Sequence, residues 1–405
     1  MPALLSHVRV LDLSRVLAGP WASQLLADLG ADVVKVERPG EGDDTRAWGP
    51  PFLKDLQGVE TRQGGYFMAA NRGKKSVTLE LSAPEAQEIV RRLAAESDVV
   101  IENFKVGTLK RFGLDYESLS ALNPRLVYCS VTGFGQTGPR KLEPAYDFLI
   151  QAIGGLMSVT GASDAEGGSP TKVGVPIVDL VTGVYATVGI LAALNAREIT
   201  GRGEHVDVAM LDVQVGLLCN QAMNHLIGGK LPGRTGNAHP NIQPQQVFQA
   251  SDSAFVVVVG NDGQFASLCK AIGRPELASD PRFVTNGVRV THKPELTSML
   301  VEAFARESRA VWLKRLTSSN VPCGPINTIP EVFADEQVKH RGMLRELSHP
   351  TAGKVPQVGC PLRFGGEQST SDRAPPELGA DTEAVLASIG VSPEQLQALR
   401  ASGIV

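Results

Sequence analysis

The chain lacks most of the short signatures that announce a chemistry. Its five cysteines (Cys129, Cys219, Cys269, Cys323 and Cys360) are scattered and odd in number. No CxxC pair and no Cys/His cluster occurs, so neither a disulfide framework nor a zinc site is expected, and reduced thiols in a cytoplasmic compartment are. GxSxG, HExxH and P-loop motifs are missing, which removes the commonest hydrolase, metalloprotease and nucleotide-phosphate readings. Charge of one sign is missing too: a net charge of −4 offers nucleic acid or an anionic membrane no basic surface. No leader-like segment precedes the strand-like VRVLDLS. There is no internal repeat and no low-complexity tract.

What is present is the composition of a soluble globular protein, 42% hydrophobic and 20% charged. A chain of 405 residues exceeds one ordinary core, so two domains, or one large domain with an insertion, are expected. One run stands out. From Val173 to Ala196 the only charge is Asp179. Pro176, the glycines, the threonines and Asp179 itself argue against a membrane span and for a buried helix with a polar start.

The N-terminal half alternates strand and helix. The pattern predicts strands at Val8–Leu13, Asp32–Glu37, Ser76–Leu81, Asp98–Glu102 and Arg125–Gly133. Helices are predicted at Pro20–Leu29 and Ala83–Ser97 and near Gly107–Phe112. Pro20 suits a first helical turn and Gly30 a stop. Such alternation makes a doubly wound α/β domain with a parallel sheet. A helix over Leu211–Ile227 then leads to a Gly/Pro/Asn-rich stretch, Gly228–Gln245, read as a linker or functional loop. The strand Ala254–Gly260 opens a second unit, with helices near Gln264–Ile272, Lys293–Glu307 and Ala310–Ser318. A helix pair closes the chain.

Several residues invite chemical readings. GFGQTG (Gly133–Gly138) matches G-x-G-x-x-G literally. Pro139 and RKLEP follow it instead of a helix, and the first βα turn holds only Gly19, so a nicotinamide or flavin site is not supported. Glu37 ends the second strand, where a dinucleotide fold holds a ribose hydroxyl; Arg38 beside it suits a phosphate. Arg72, Lys74 and Lys75 in NRGKKS, and Lys105, Lys110 and Arg111 in NFKVGTLKRFG, read singly as solvated charges. Gathered at βα-loop ends of one sheet, they would face a polyphosphate. Asp179 reads as the N-cap of its helix. That is compatible with a second role: a carboxylate kept ionised by the helix N-terminus and poorly solvated by its apolar surround is a nucleophile.

At the level of longer motifs the sequence resembles the class III CoA-transferases, the group of formyl-CoA, carnitine and bile-acid CoA-transferases. The resemblance spans nearly the whole chain. It rests on VLDLSRVLAGPWASQLLADLGADVVKVERPGEGDDTR, NRGKKS, DVVIENFKVGTLKRFGLDY, GFGQTGP, AYDFLIQAIGGLMSVTG, VDLVTGVYATVGILAALNAREITGRGEHVDVAMLD and VPCGPIN. It implies that Asp179 is the nucleophile, working through an aspartyl–acyl anhydride and an aspartyl-CoA thioester. Tyr146 and Asp147 of AYDF would sit beside the thioester. CoA contacts would come from Val16, Arg38, Leu79, Asn103, Phe104 and Arg111, with Lys74 and Lys75. CoA is then a substrate and no permanent cofactor or metal is implied. HPNIQ (His239–Gln243) aligns with the family's mobile glycine loop, which makes His239 and Gln243 substrate-side residues.

The departures bear on substrate. Formyl-CoA–oxalate enzymes carry H-V-Q where this chain has Arg15-Val16-Leu17, and four glycines where it has His239-Pro240-Asn241-Ile242. GDDTRAWGPPF, GNAH and HPTAGK resemble instead the succinyl-CoA–glutarate branch. There Arg72, or Arg46 as a second candidate, would hold the distal carboxylate of a dicarboxylic acid. Acceptors such as oxalate, carnitine or itaconate-type acids remain open. The family fold implies a Rossmann-like large domain from 1–205, a linker and lid over 206–245, a small α/β domain over 246–325, and a return segment over 326–405. Two such chains would interlock as a homodimer. The rival on the same fold is an α-methylacyl-CoA racemase, which moves a proton at Cα with a His and an Asp. Its His falls on Tyr146, and tyrosine is a poor base near neutral pH. A CoA-ester-binding protein without activity would have lost Asp179.

Overall fold

In the computed structural model, which describes residues 4–163 and 166–405, the chain builds two units. The first comprises Met1–Leu156, Val173–Cys219 and Glu336–Val405; the second comprises Met157–Lys172 and Asn220–Asp335. Divisions at 205, 245 and 325 therefore need correction. The strand and helix that follow residue 205 still complete the first sheet, and a short segment before Val173 joins the second unit.

The first unit is a six-stranded parallel sheet: β1 (Arg9–Asp12), β2 (Asp32–Glu37), β3 (Lys74–Thr78), β4 (Val99–Glu102), β5 (Val127–Thr132) and β6 (His205–Ala209). Their order is β3-β2-β1-β4-β5-β6, all neighbours parallel. Both faces are covered, and the central strands β1, β4 and β5 are largely apolar on both sides, whereas β2 and β3 carry the buried Lys35, Lys74 and Ser76. Val10, Val33, Ile101 and Val127 face α1 (Ala18–Asp28) and the long helix α4 (Ile177–Thr200). The alternate residues Leu11, Val36, Val100 and Tyr128 face α2 (Pro84–Ala95) and the C-terminal helices Thr382–Ser388 and Pro393–Ala401. α4 has the length and hydropathy of a membrane span, but Ala186 and Ile190 on it are packed into this core.

Two predicted elements move. The strand expected at Ser76–Leu81 lies at Lys74–Thr78, so both lysines are inside the sheet and not in a loop. The helix expected over Leu211–Ile227 is two, Met210–Leu217 and Cys219–Gly228, broken where Cys219 takes φ 40°. The second unit packs helices on a three-stranded antiparallel sheet of Gln245–Gln249, Ala254–Val258 and Cys323–Pro325. Its core is an aromatic cluster in which the Phe304 ring lies about 5 Å from those of Phe248, Phe255 and Trp312.

Candidate active site

The strand order reverses between β1 and β4. Loops leaving their carboxyl ends diverge there and open a crevice, the usual ligand position in an open α/β sheet. Leu13–Leu17 follow β1, and Asn103 and Phe104 follow β4. The Asn103 side chain clamps the first loop: Arg15 N–H donates to Oδ1 at 2.8 Å, and Nδ2 donates to the Arg15 carbonyl at 2.7 Å. Leu13, Arg15, Arg38, Leu79, Phe104 and Phe112 line one end of the crevice. Arg15, Val16, Leu17, Ala18, Asn103, Phe104, Lys105, Lys141, Tyr146 and Asp179 line the other. Arg15 and Phe104 are common to both ends.

Asp179 stands in the first turn of α4, but it is not the cap. That role falls to Asp147, at the start of α3 (Asp147–Ile153), whose Oδ2 accepts the N–H groups of Val178 at 2.8 Å and Asp179 at 3.4 Å. Gln151 donates to its other oxygen at 2.5 Å. The Asp179 side chain is thereby left for the cavity. Its ionised state is also less favoured than the sequence suggests. Burial, and then the charge of Asp147, push its carboxyl up to about 7. The helix N–H groups that would have opposed this are turned to Asp147.

Several expected site residues line the crevice: Val16, Arg38, Leu79, Asn103, Phe104 and Tyr146. Arg111 is exposed, next to the lining residue Phe112. Others are placed differently. Lys74 is fully buried, its ammonium held by Asp12 (3.1 Å), Asn71 (2.8 Å) and the Pro20 carbonyl (2.9 Å), so it has no face for a phosphate. Lys75 pairs with Asp32 at 2.6 Å. Asp32 begins β2, which puts that ammonium at the end of the sheet away from the crevice. Glu37 is not free for a ribose, because Arg46, Ser76 and the Asp43 N–H occupy its oxygens.

Neither arginine proposed as a dicarboxylate selector is available. Arg72 is buried, forked onto Asp28 (2.9 and 2.6 Å), with its remaining nitrogen on the Val358 carbonyl. Arg46 is forked onto Glu37 (2.7 and 2.8 Å) and stacked on the Phe67 ring at 3.7 Å. In the second unit, Gln243 is fully buried and donates to Thr297 Oγ1 at 2.9 Å, so its side chain is a strut and not a substrate contact. The His239–Gln243 segment is tied down. Asn241 and Asn224 exchange two side-chain hydrogen bonds (3.0 and 3.1 Å), Asn286 holds the Asn241 carbonyl and the Gln243 N–H, and His239 Nδ1 accepts the Asn241 N–H at 3.0 Å. Burial pushes the His239 imidazole down, with Lys293 adding to the effect.

Sequence reasoning missed Tyr66. Its phenol is pushed up to about 12, chiefly by burial and then by the charges of Asp179 and Asp147. It precedes NRGKKS by a few residues, and nothing in that spacing ties it to a residue more than a hundred positions on. Also missed was a buried pair behind the first loop, Lys35–Asp43 at 2.9 Å, both side chains inaccessible to solvent.

The family model for CoA-transferase family III matches residues 5–382. The chain belongs to that family. By that descent it is a CoA-transferase. It is 47% identical over 385 residues to the succinate–glutarate CoA-transferase of Agrobacterium fabrum, covering 95% of each chain. To the human succinyl-CoA:glutarate CoA-transferase it is 43% identical, over 95% of this chain and 86% of that one. Among solved structures, a CAIB/BAIF family protein from Brucella suis superposes with a TM-score of 0.82 at 48% identity, covering 96% of this chain and 99% of that one.

Proposed function

We propose that this CoA-transferase moves CoA from succinyl-CoA to a dicarboxylic acid such as glutarate, with Asp179 as the nucleophile. The observation that carries the nucleophile is an aspartate 9% exposed at the wall of the crevice, relieved of helix capping by Asp147. Adenosine phosphates would meet Arg38 at one end, and the pantetheine would run past Leu79 and Phe104 to the cavity of Asp179. The donor and acceptor follow the names of the Agrobacterium and human relatives. With Arg72 and Arg46 committed elsewhere, the cations that line the Asp179 end are Arg15, Lys105 and Lys141. Arg15 is the one on the clamped loop; its guanidinium pairs with Asp44 at 3.1 Å, but that pair is exposed and exchangeable, unlike the buried forks of Arg72 and Arg46, and we assign Arg15 the distal carboxylate.

The reaction needs no net proton transfer. An Asp179 oxygen attacks the succinyl thioester carbon, the C–S bond breaks, and CoA thiolate leaves an aspartyl–succinyl anhydride. The thiolate attacks the aspartyl carbonyl carbon and expels succinate, leaving a CoA thioester on Asp179. Glutarate attacks that carbon, expels the thiolate and forms a new anhydride. The thiolate then takes the glutaryl carbon and frees Asp179. An aspartate suits this because an anhydride is about as activated as a thioester, whereas a serine ester would lie too low to return the thiolate. Water must be kept away from each intermediate. A homodimer in a reducing, cytoplasmic setting fits as well: Val184, Tyr185 and Val188 leave an apolar strip exposed on α4, and the five cysteines are unpaired.

The test is incubation with succinyl-CoA and a panel of mono- and dicarboxylic acids in D2O, with products and hydroxylamine-trapped peptides read by mass spectrometry. New acyl-CoA species without Cα deuterium, and a hydroxamate at residue 179, are expected. Deuterium at Cα without new thioesters would establish the racemase instead.

A further inference from the structure

A row of polar groups crosses the carboxyl ends of β4, β5 and β6, and the reaction steps do not use it. Glu102 ends β4, Ser130 is its register partner on β5, and Asp207 is the partner of Ser130 on β6. Alternation along the strands puts them on the face of Val100 and Tyr128, opposite α4. Glu102 is buried at 5% exposure, and Ser130 beside it is buried too. The Ser130 hydroxyl lies 3.0 Å from His205 Nε2, and that imidazole is stacked on the Tyr116 ring, centroids 4.9 Å apart. The row also holds the crevice. Glu102 Oε2 accepts the Phe104 N–H at 2.8 Å. Phe104 lines both ends of the crevice, and Asn103 beside it clamps Arg15. At the far end of the row, Asp207 Oδ2 accepts the Gln136 N–H at 3.0 Å, in the loop whose Gly133 lines the Asp179 cavity.

Glu102 is the member of this row whose charge is poised. Burial, and then the charge of Asp207, push its carboxyl up to about 7 against the hydrogen bonds of Ser130 and Phe104. The groups packed around it are Tyr128 and Cys129 on β5, His205 and Asp207 on β6 with Glu204 before them, and Asp115, Tyr116 and Glu117 at the start of the helix Tyr116–Leu122; Lys105 follows Phe104 on the same loop. Burial pushes Tyr128 and Cys129 up, so both stay neutral. Burial pushes His205 down, against Asp207, Glu117 and Glu204, so its imidazole stays neutral around pH 7. A hydroxyl has one proton to give. Ser130 therefore cannot donate to Glu102 and to His205 together.

We propose that Glu102 is a positioning residue for CoA: its carboxylate holds the Asn103–Phe104 corner of the crevice, and the Ser130 hydroxyl couples the state of that carboxylate to the tautomer of His205. With Glu102 ionised, Ser130 Oγ–H donates to the carboxylate and accepts from His205 Nε2–H, and the Phe104 N–H meets a charged acceptor. A proton taken up at His205 Nδ1 displaces the Nε2 proton to Ser130 Oγ and the hydroxyl proton to Glu102. The carboxyl then donates to Ser130, Ser130 donates to Nε2, and one proton has been added with no charged imidazole. The Phe104 N–H is left on a neutral acceptor, a bond of about half the strength. The proposal rests on CoA running past Phe104.

The test uses the full chain with ¹⁵N-labelled histidine, His205 being assigned by its loss in His205→Gln. As pH falls from about 8 to about 6, His205 Nε2 is expected to pass from protonated to bare, the reverse of an ordinary histidine taking up charge. In Glu102→Gln the tautomer is expected to stay fixed. Binding is read by calorimetry with dephospho-CoA, which lacks the titrating 3′-phosphate, in an Asp179→Asn background that removes the other carboxyl poised near 7. Affinity is expected to fall about fivefold over that range, and to stay flat when Glu102→Gln is added. A wild-type His205 that keeps Nε2 protonated or becomes charged overturns the proposal, as does a fall in affinity that survives Glu102→Gln. A Phe104→Ala variant that binds as tightly as its parent overturns the placement of CoA, and this proposal with it.

Discussion

Asp179→Asn should be more stable than the wild type above neutral pH, and by an amount the structure sets. The Asp179 carboxyl titrates near 3.8 when unfolded and near 7 when folded. Between those values the folded state holds a proton that the unfolded state has released, so stability falls as pH rises. Above about pH 7 both states are ionised and the penalty is full and constant. Roughly three pH units at ~1.36 kcal/mol each give an upper bound of ~4 kcal/mol. Water at the open side of the cavity lowers this, so a gain of about 2–4 kcal/mol is expected. Asparagine keeps the volume, and the backbone N–H groups of residues 178 and 179 stay on Asp147. At ~2–4 °C per kcal/mol for a unit of this size, the melting temperature at pH 8.5 should rise by about 4–16 °C. The assay is calorimetric melting of both proteins at pH 4.5, 6.5 and 8.5 in equal ionic strength. The difference should shrink towards zero at the acid end. A difference independent of pH, or a wild type that melts higher at pH 8.5, would refute a carboxyl raised by burial.

Two further outcomes follow from the same carboxylates and from the arginine forks. In the wild type, kcat/KM for succinyl-CoA should fall as pH drops through about 7, because a protonated Asp179 cannot attack. Asp147→Asn keeps an oxygen for the α4 N–H groups but loses the charge that helps raise Asp179, so that limb should move to lower pH; an unmoved midpoint in the pH–rate profile counts against it. Arg72→Ala should act on the fold and not on acceptor choice, since it leaves Asp28 buried and unpaired at a cost of about 3–5 kcal/mol. Urea denaturation together with the acceptor panel decides this: unchanged stability with a selective loss of dicarboxylates would return Arg72 to the acceptor site.

The parallel sheet was legible because its central strands are largely apolar on both faces and its helices are punctuated by proline and glycine. Pro20 and Gly30 bracket α1 to within two residues. Asp179 was legible because one charge in a long apolar run must either be paired or be used. The cations were the hard part, for a geometric reason. A lysine or arginine near a βα loop looks the same in sequence whether it faces the crevice or is consumed inside the sheet. A shift of two residues in where β3 begins decides it. With the strand starting at Lys74, alternate side chains go to opposite faces. Lys74 is drawn inward to Asp12, Lys75 outward to Asp32, and neither reaches a phosphate. Arg46 and Arg72 are spent in the same way, on acids from β2 and α1 that no local spacing links to them. What this buried ionic layer supplies is a fixed base for the first loop: Lys35 holds Asp43 and the Ser14 carbonyl, and Asp43 holds the N–H of Val16, whose φ of 71° a β-branched residue seldom adopts. Arg46, Arg72 and Lys74 belong, by position, to the support beneath the crevice and not to its lining.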